Sequence, residues 1–484
     1  MTSLSTTAPA TRLREMNELP GPRTLPLVGN VFQIERNRVH QNVERWAHEF
    51  GPLFRIKFGP AEFLVVTDHE HVAKLLRDRP DGVLRLGRTA AIAAELGFDV
   101  GLFDAEGEVW RRQRRMVMAS FAPGHVRSYL PSLNKVAQRL KGRWELAFRQ
   151  GGEIDLQADL MRFTVDAIAG LAFGADINTL ESDSEVIQRH LDKVLPALFT
   201  RSFSLLPWWR VLRTPADRRL ERSVAALKEA IAGFIAAARA RLEADPARRA
   251  QPRNLLEAML VAADEPGSGV GDADVAGNVI TMLVAGEDTT ANTLAWMIHL
   301  LHRHPETLQR AQAEVRALLP ADGEPTLEQL DSLSYLDACA METMRLKPVA
   351  PFMPVTVVNE TVIGDVRVPA GGNVWCVLRH DSLSDTHFPE AHAFRPERWL
   401  TAESDAQAHS SAKRVAMPFG AGPRVCPGRY LALLEMKMAM ATLLQHFEIQ
   451  SVEAPSGREA EELMAFTMSP IGLRMRLKLR AQTA

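Results

Sequence analysis

The periodicity of this chain predicts a mainly α-helical fold with a minor β portion, an α+β architecture built as one large unit. Three observations predict it. Apolar residues recur at helical spacing from Trp110 to about Glu243, as in the run from Leu220 to Ile231. Short alternating runs of β type gather towards the two ends of the sequence. The breaks at Gly151-Gly152, Pro246 to Pro252 and Asp264 to Gly271 are all too short to be domain linkers.

Taken in order, residues 1–18 have no apolar core of the kind a signal peptide or membrane anchor needs, and they are expected to form a disordered tail. The Pro/Gly-rich stretch from Leu19 to Gly29 opens the folded domain, expected to span 19–484. Leu53 to Phe58 and Glu62 to Thr67 read as two strands about Gly59-Pro60. The helical body follows. Val275 to Leu301 is a long apolar helix, and beyond Pro351 strand-like runs return at Val355 to Ile363, Asn373 to Leu378 and Met464 to Lys478. Arg429 to Phe447 is a further helix, rich in good helix formers. There is no repeat period and no low-complexity block.

Composition narrows the function. Of 484 residues, 46% are hydrophobic and 24% charged, which is globular and argues against extended disorder. A formal net charge of −2 gives no reason to expect nucleic acid. Cys339, Cys376 and Cys426 are the three cysteines, and no two form a C-x-x-C pair, which disfavours zinc ribbons, iron–sulfur clusters and a disulfide framework. A reducing cytoplasm is the natural compartment. The expectation is a soluble, cytoplasmic monomer without a transmembrane anchor.

Cys426 stands in the glycine-rich run from Phe419 to Arg429, just ahead of the Arg429–Phe447 helix. Gly420, Gly422 and Gly428 permit tight turns and close approach of a flat ligand, while Phe419 could cover the sulfur. A thiolate near a helix N-terminus gains from the dipole and from free N–H groups, and Pro427 suits a first helical turn. Two other readings compete: a small buried cysteine, and a phosphate loop. The phosphate loop fails, because Val425 stands where its fingerprint needs glycine.

The spacing Phe419-x-x-Gly422-x-Arg424-x-Cys426-x-Gly428 resembles the haem-binding loop of the cytochrome P450 family, and the layout resembles that family over nearly the whole chain. The resemblance implies haem b with Cys426 as the iron ligand. It brings in other segments. Ala285-Gly-Glu-Asp-Thr-Thr290 resembles the family's oxygen-binding helix, which implies that Thr289 hydrogen-bonds dioxygen and Asp288 feeds protons inward. Thr289 can bond back to the carbonyl of Ala285, with Gly286 leaving a groove that opens the backbone ladder, and Ala285 packing over the porphyrin. Trp110 and Arg114, four apart on one helical face, suit a haem propionate, with Arg424 beside them. Glu342, Arg345 and Arg398 form a structural charge network by the same resemblance.

There are departures. Pro351 to Val358 carries no arginine where the family often has a propionate ligand, and Leu378-Arg-His-Asp381 departs from the usual His-Arg-Asp order. A substrate pocket mapped by motif offsets takes in Ala285, Ala350, Phe352, Phe466 and Thr467, which favours a hydrophobic small molecule. The expected activity is hydroxylation or epoxidation, with NAD(P)H electrons arriving through a separate ferredoxin or flavodoxin and its reductase. Arg111, Arg112, Arg115, Lys413, Arg414 and Arg429 are a candidate basic docking patch. The alternatives are a peroxide-driven peroxygenase or isomerase of the same fold, or a non-catalytic haem sensor.

Overall fold

A computed structural model describes residues 12–121, 123–182, 187–204, 206–320, 323–400, 412–457 and 459–480. Helices dominate and the strands are short, as the periodicity predicts. The two N-terminal strands, Leu53–Phe58 and Ala61–Val66, pair in register about Gly59-Pro60. They belong to a five-stranded sheet whose order continues through Asn373–Val377, Phe352–Val357 and Val83–Arg85. Segments more than 250 residues apart in sequence are thereby brought side by side.

The folded part begins earlier than residue 19. Arg14–Glu15 pairs in parallel with Val366–Val368, and the Arg14 guanidinium grips Asp365 through two hydrogen bonds of 2.7 Å each. Met16 is buried as well. A charged bidentate clamp, which apolar periodicity cannot reveal, is what fixes this segment. The remainder of the expected tail, residues 1–11, lies outside the described residues.

At the centre runs the helix Asp272–Arg303, its second half buried almost without interruption. It packs along Leu156–Ile168, and Gly286 sits at the crossing. A Cβ there would stand 3.0 Å from the Ile168 Cδ1 methyl, so the glycine permits close helix approach and does not open a groove beside Thr289. The helix is also continuous past this point, with no interruption of its ladder. Ser334–Leu346 and Arg429–His446 also pack against it. Among the described residues no helix is long and apolar enough to cross a membrane.

Candidate active site

The Phe419–Gly428 loop is shaped by backbone that side chains disfavour. Gly420 and Gly422 have φ of +76° and +72°, and a Cβ on Gly422 would lie 2.5 Å from the Leu76 carbonyl oxygen. The loop closes on itself where the Cys426 N–H donates to the Phe419 carbonyl (3.0 Å). Gly428 is the N-cap of the following helix, so Pro427 precedes the helix and does not occupy its first turn, and Cys426 lies two residues before the cap. Burial pushes the Cys426 thiol up, against the opposing pull of the Gly428 N–H, Arg114 and Arg429. Even so, its side is open: Cys426 counts among the exposed residues while protein surrounds it in most directions.

Three expected donors converge on this loop. Arg114 Nη2 donates to the Val425 carbonyl (2.9 Å), and the Arg424 guanidinium lies 4.9 Å from the centroid of the Trp110 ring. Arg424 is ion-paired with Glu106 and also donates to the Ala105 carbonyl. Phe419 is covered by Arg429, 5.7 Å from its centroid.

Two arginines that sequence reading did not single out lie against the arginine-free segment Pro351 to Val358. Strand Val83–Arg85 pairs antiparallel with that segment, placing Arg85 directly opposite Val355. Arg79 also reaches it, with Nη1 3.0 Å from the Met353 sulfur. Burial, reinforced by Arg424, lowers Arg79 to about 10, and burial with Arg79 and Arg424 lowers Arg85 to about 9. Arg79 Nε and Nη2, Arg85 Nε and Arg424 Nε are buried without a hydrogen-bond partner. Against three guanidiniums stand the carboxylates of Glu106 and Asp104, and burial raises the latter. Such a cluster calls for further anionic oxygens. No local signal in the sequence announces it, since the pairing spans about 270 residues.

On the long helix, Thr289 Oγ1 donates to the Ala285 carbonyl at 2.7 Å, as its spacing predicts. Ala285 is exposed, between the partly buried Val284 and Gly286. Asp288 is held from two sides: Thr467 Oγ1 donates to Oδ2 (2.5 Å) and Asn292 Nδ2 to Oδ1 (2.8 Å). Burial nevertheless raises its pKa, outweighing both hydrogen bonds. Thr467, expected to line a substrate pocket, is buried with its hydroxyl committed to Asp288. Its neighbour Phe466 is partly buried, its ring 6.4 Å from that of Phe103. Phe352 packs on Trp375 with centroids 4.6 Å apart, and Ala350 is exposed.

The expected charge network assembles. Arg345 makes paired hydrogen bonds to Glu342 (2.8 and 2.7 Å), both side chains being fully buried. Arg398 Nε and Trp399 Nε1 complete the carboxylate's shell. Arg379, in the segment with the altered order, is bound instead between Glu44 and Glu462, which removes it from the ligand-binding set. The basic patch is weaker than its sequence suggests, because Arg111 is paired with both Asp81 and Glu108.

The family profile described as cytochrome P450 matches residues 19–476. A self-sufficient cytochrome P450 monooxygenase of Aspergillus kawachii is 30% identical over 487 residues, covering 98% of this chain and 44% of that protein. One from Penicillium camemberti is 31% identical over 480 residues, covering 97% of this chain and 44% of its own length. This chain therefore spans less than half the length of these relatives. The crystal structure of the cytochrome P450DA heme domain matches with a TM-score of 0.82 and 25% identity, covering 97% of this chain and 98% of that one. By this match across almost the whole chain, the protein belongs to the cytochrome P450 family.

Proposed function

We propose that this chain, over the described fold from residue 12 to 480, is a haem-thiolate monooxygenase that inserts one atom of dioxygen into a hydrophobic small molecule and releases the other as water. The carrying observation is the pairing of an accessible, loop-held Cys426 with a cluster of buried arginines that have unsatisfied donors. Haem b fits both, offering a metal to the sulfur and propionate oxygens to the guanidiniums. When bound, it supplies the electron-transfer and dioxygen chemistry, drawing electrons from NAD(P)H through a reductase.

The chain's own residues do the rest. Cys426 ligates the iron, while Trp110, Arg114, Arg424, Arg79 and Arg85 hold the propionates. The Thr289 hydroxyl donates its hydrogen bond to the Ala285 carbonyl, so the lone pairs of its oxygen are left to accept one. Asp288, with its raised pKa, can hold a proton nearer to neutral pH than an ordinary aspartate and pass it inward. Thr467 and Asn292 fix the direction of that carboxyl. Phe466, Phe103 and Phe352 favour an apolar substrate. A mostly apolar cleft of about 480 Å³ lies beside Ala276 and Ile280 on the same helix, apart from these residues.

The electron donor is a separate ferredoxin or flavodoxin with its reductase, or a reductase region of the kind that would account for the greater length of the self-sufficient relatives. Turnover assays with and without added reductase distinguish them. The test of the main reading is NAD(P)H-dependent oxygenation of an apolar substrate, together with the carbon monoxide spectrum characteristic of a thiolate ligand. Cys426→His should lose both. A variant that keeps the thiolate spectrum would remove Cys426 from its role.

A further inference from the structure

Among the described residues, one cluster of His and Asp side chains gathers donors that could hold a metal ion. His69 opens the helix His69–Arg77, and Asp381 and His387 flank the turn that follows strand Asn373–Val377. Their donor atoms all lie within 4.8 Å of one another. Asp381 Oδ2 is 2.8 Å from His69 Nδ1 and 3.6 Å from His387 Nε2. The second distance is too long for a hydrogen bond. The two imidazole rings stand at 77° with centroids 4.7 Å apart. Donors around a four-coordinate ion with bonds of about 2.0–2.1 Å lie roughly 3.3 Å from each other, so the observed separations bracket that value. From these positions we infer that His69, Asp381 and His387 bind one divalent cation of the zinc type.

The surroundings support a built site. The other oxygen of Asp381 faces His380 Nδ1 at 3.1 Å, and the His69 backbone N–H donates to Oδ2 (2.8 Å). Partners of this kind orient a ligating carboxylate. The turn is itself held in place: Arg345 Nη1 donates to the Ser382 and Ala391 carbonyls (2.5 and 2.7 Å), and the Ala391 N–H to Asp385 (2.8 Å). The His387 side chain is 29% exposed, which gives an ion a way in. Two nitrogens and one carboxylate oxygen, with a fourth position left for water, are a donor set that suits zinc. Its effect would be structural. It ties the start of the helix that leads to Arg79 onto the turn held by Arg345.

The test is calorimetric titration of chelator-treated holoenzyme with zinc chloride. One saturable site per chain is expected, weakened at least about tenfold in His387→Ala and in His69→Gln, with the haem absorption unchanged in all three proteins. Zinc should raise the unfolding temperature of the parent protein and leave that of His387→Ala where it was. His387 is exposed, so its variant should fold normally. Absence of saturable binding in roughly tenfold excess of zinc, or matching isotherms for the parent and His387→Ala, overturns the assignment.

Discussion

Replacing Arg79 with Met should have opposite effects on the empty and the haem-loaded protein. The residue is 3% exposed, two of its nitrogen groups are unpaired, and burial with Arg424 lowers its pKa from 12.5 to about 10. At about 1.4 kcal/mol per pH unit, that fall corresponds to roughly 3 kcal/mol of strain on the charged form. A cation whose folded pKa lies below its unfolded value is unfavourable throughout the range below the folded pKa, and the cost eases as pH rises from about 10 towards 12.5. At pH 7 the cost is complete. Removing the charge should therefore stabilise the haem-free protein by up to about 3 kcal/mol, read as a higher denaturant midpoint at pH 7. In the loaded protein the same change deletes a charge-assisted hydrogen bond, worth about 1.5–3 kcal/mol. Haem transfer to excess apomyoglobin should then be faster by about tenfold to a hundredfold. A variant that holds haem as tightly as the parent, with its haem-free form no more stable, would refute the assignment of Arg79 to a propionate.

Three further outcomes are expected. Asp288→Asn should lower turnover by about 10²- to 10⁴-fold, the range for loss of a proton-transfer group; because the raised pKa of Asp288 makes its ionised form unfavourable above that pKa, the variant should also be more stable than the parent at pH 7, by a margin that shrinks as pH falls, and equal turnover would remove Asp288 from the proton path. Thr289→Ala should keep NAD(P)H consumption but divert electrons to hydrogen peroxide, and full coupling measured as product per NAD(P)H would count against the threonine. Arg345→Met strips a fully buried carboxylate of two hydrogen bonds and three carbonyls of their donor, which should cost about 3–5 kcal/mol in a denaturant titration; a loss under about 1 kcal/mol would contradict the reading of Glu342–Arg345 as a network in which neither charge can be left alone.

What could be read from the sequence follows from how local each signal is. The Asp272–Arg303 helix and the Phe419–Gly428 loop show in single stretches, and so does the Thr289 bond to the Ala285 carbonyl, because four residues make one helical turn. Glu342 and Arg345 are one turn apart, and their pairing is equally local. By contrast, Arg85 reaches its place through a sheet that pairs it with Val355, and Thr467 finds Asp288 from 179 residues away. Motif offsets give Thr467 only as a pocket residue, and the hydrogen bond of its hydroxyl to Asp288 had no signal in the sequence. Gly286 illustrates a third case: its need for glycine was legible, while the reason, contact with Ile168, lay on another helix.

The two ends of the site are unsatisfied in opposite senses, and that pairing of defects is more informative than either alone. At Cys426 burial disfavours the thiolate, and the Gly428 N–H, Arg114 and Arg429 do not fully offset it; a nearby metal cation would. Around Arg79, Arg85 and Arg424 burial disfavours the cations, and Glu106 with Asp104 leaves donors unpaired. An added anion at the arginines would leave the thiol protonated, and a bare metal ion would leave the guanidiniums repelling one another. A ligand with a central cation and peripheral carboxylates relieves both. Folding and haem binding should for this reason be strongly coupled: the residues that make the empty protein less stable are the ones that hold the group, and the stability they forgo returns as affinity when it binds.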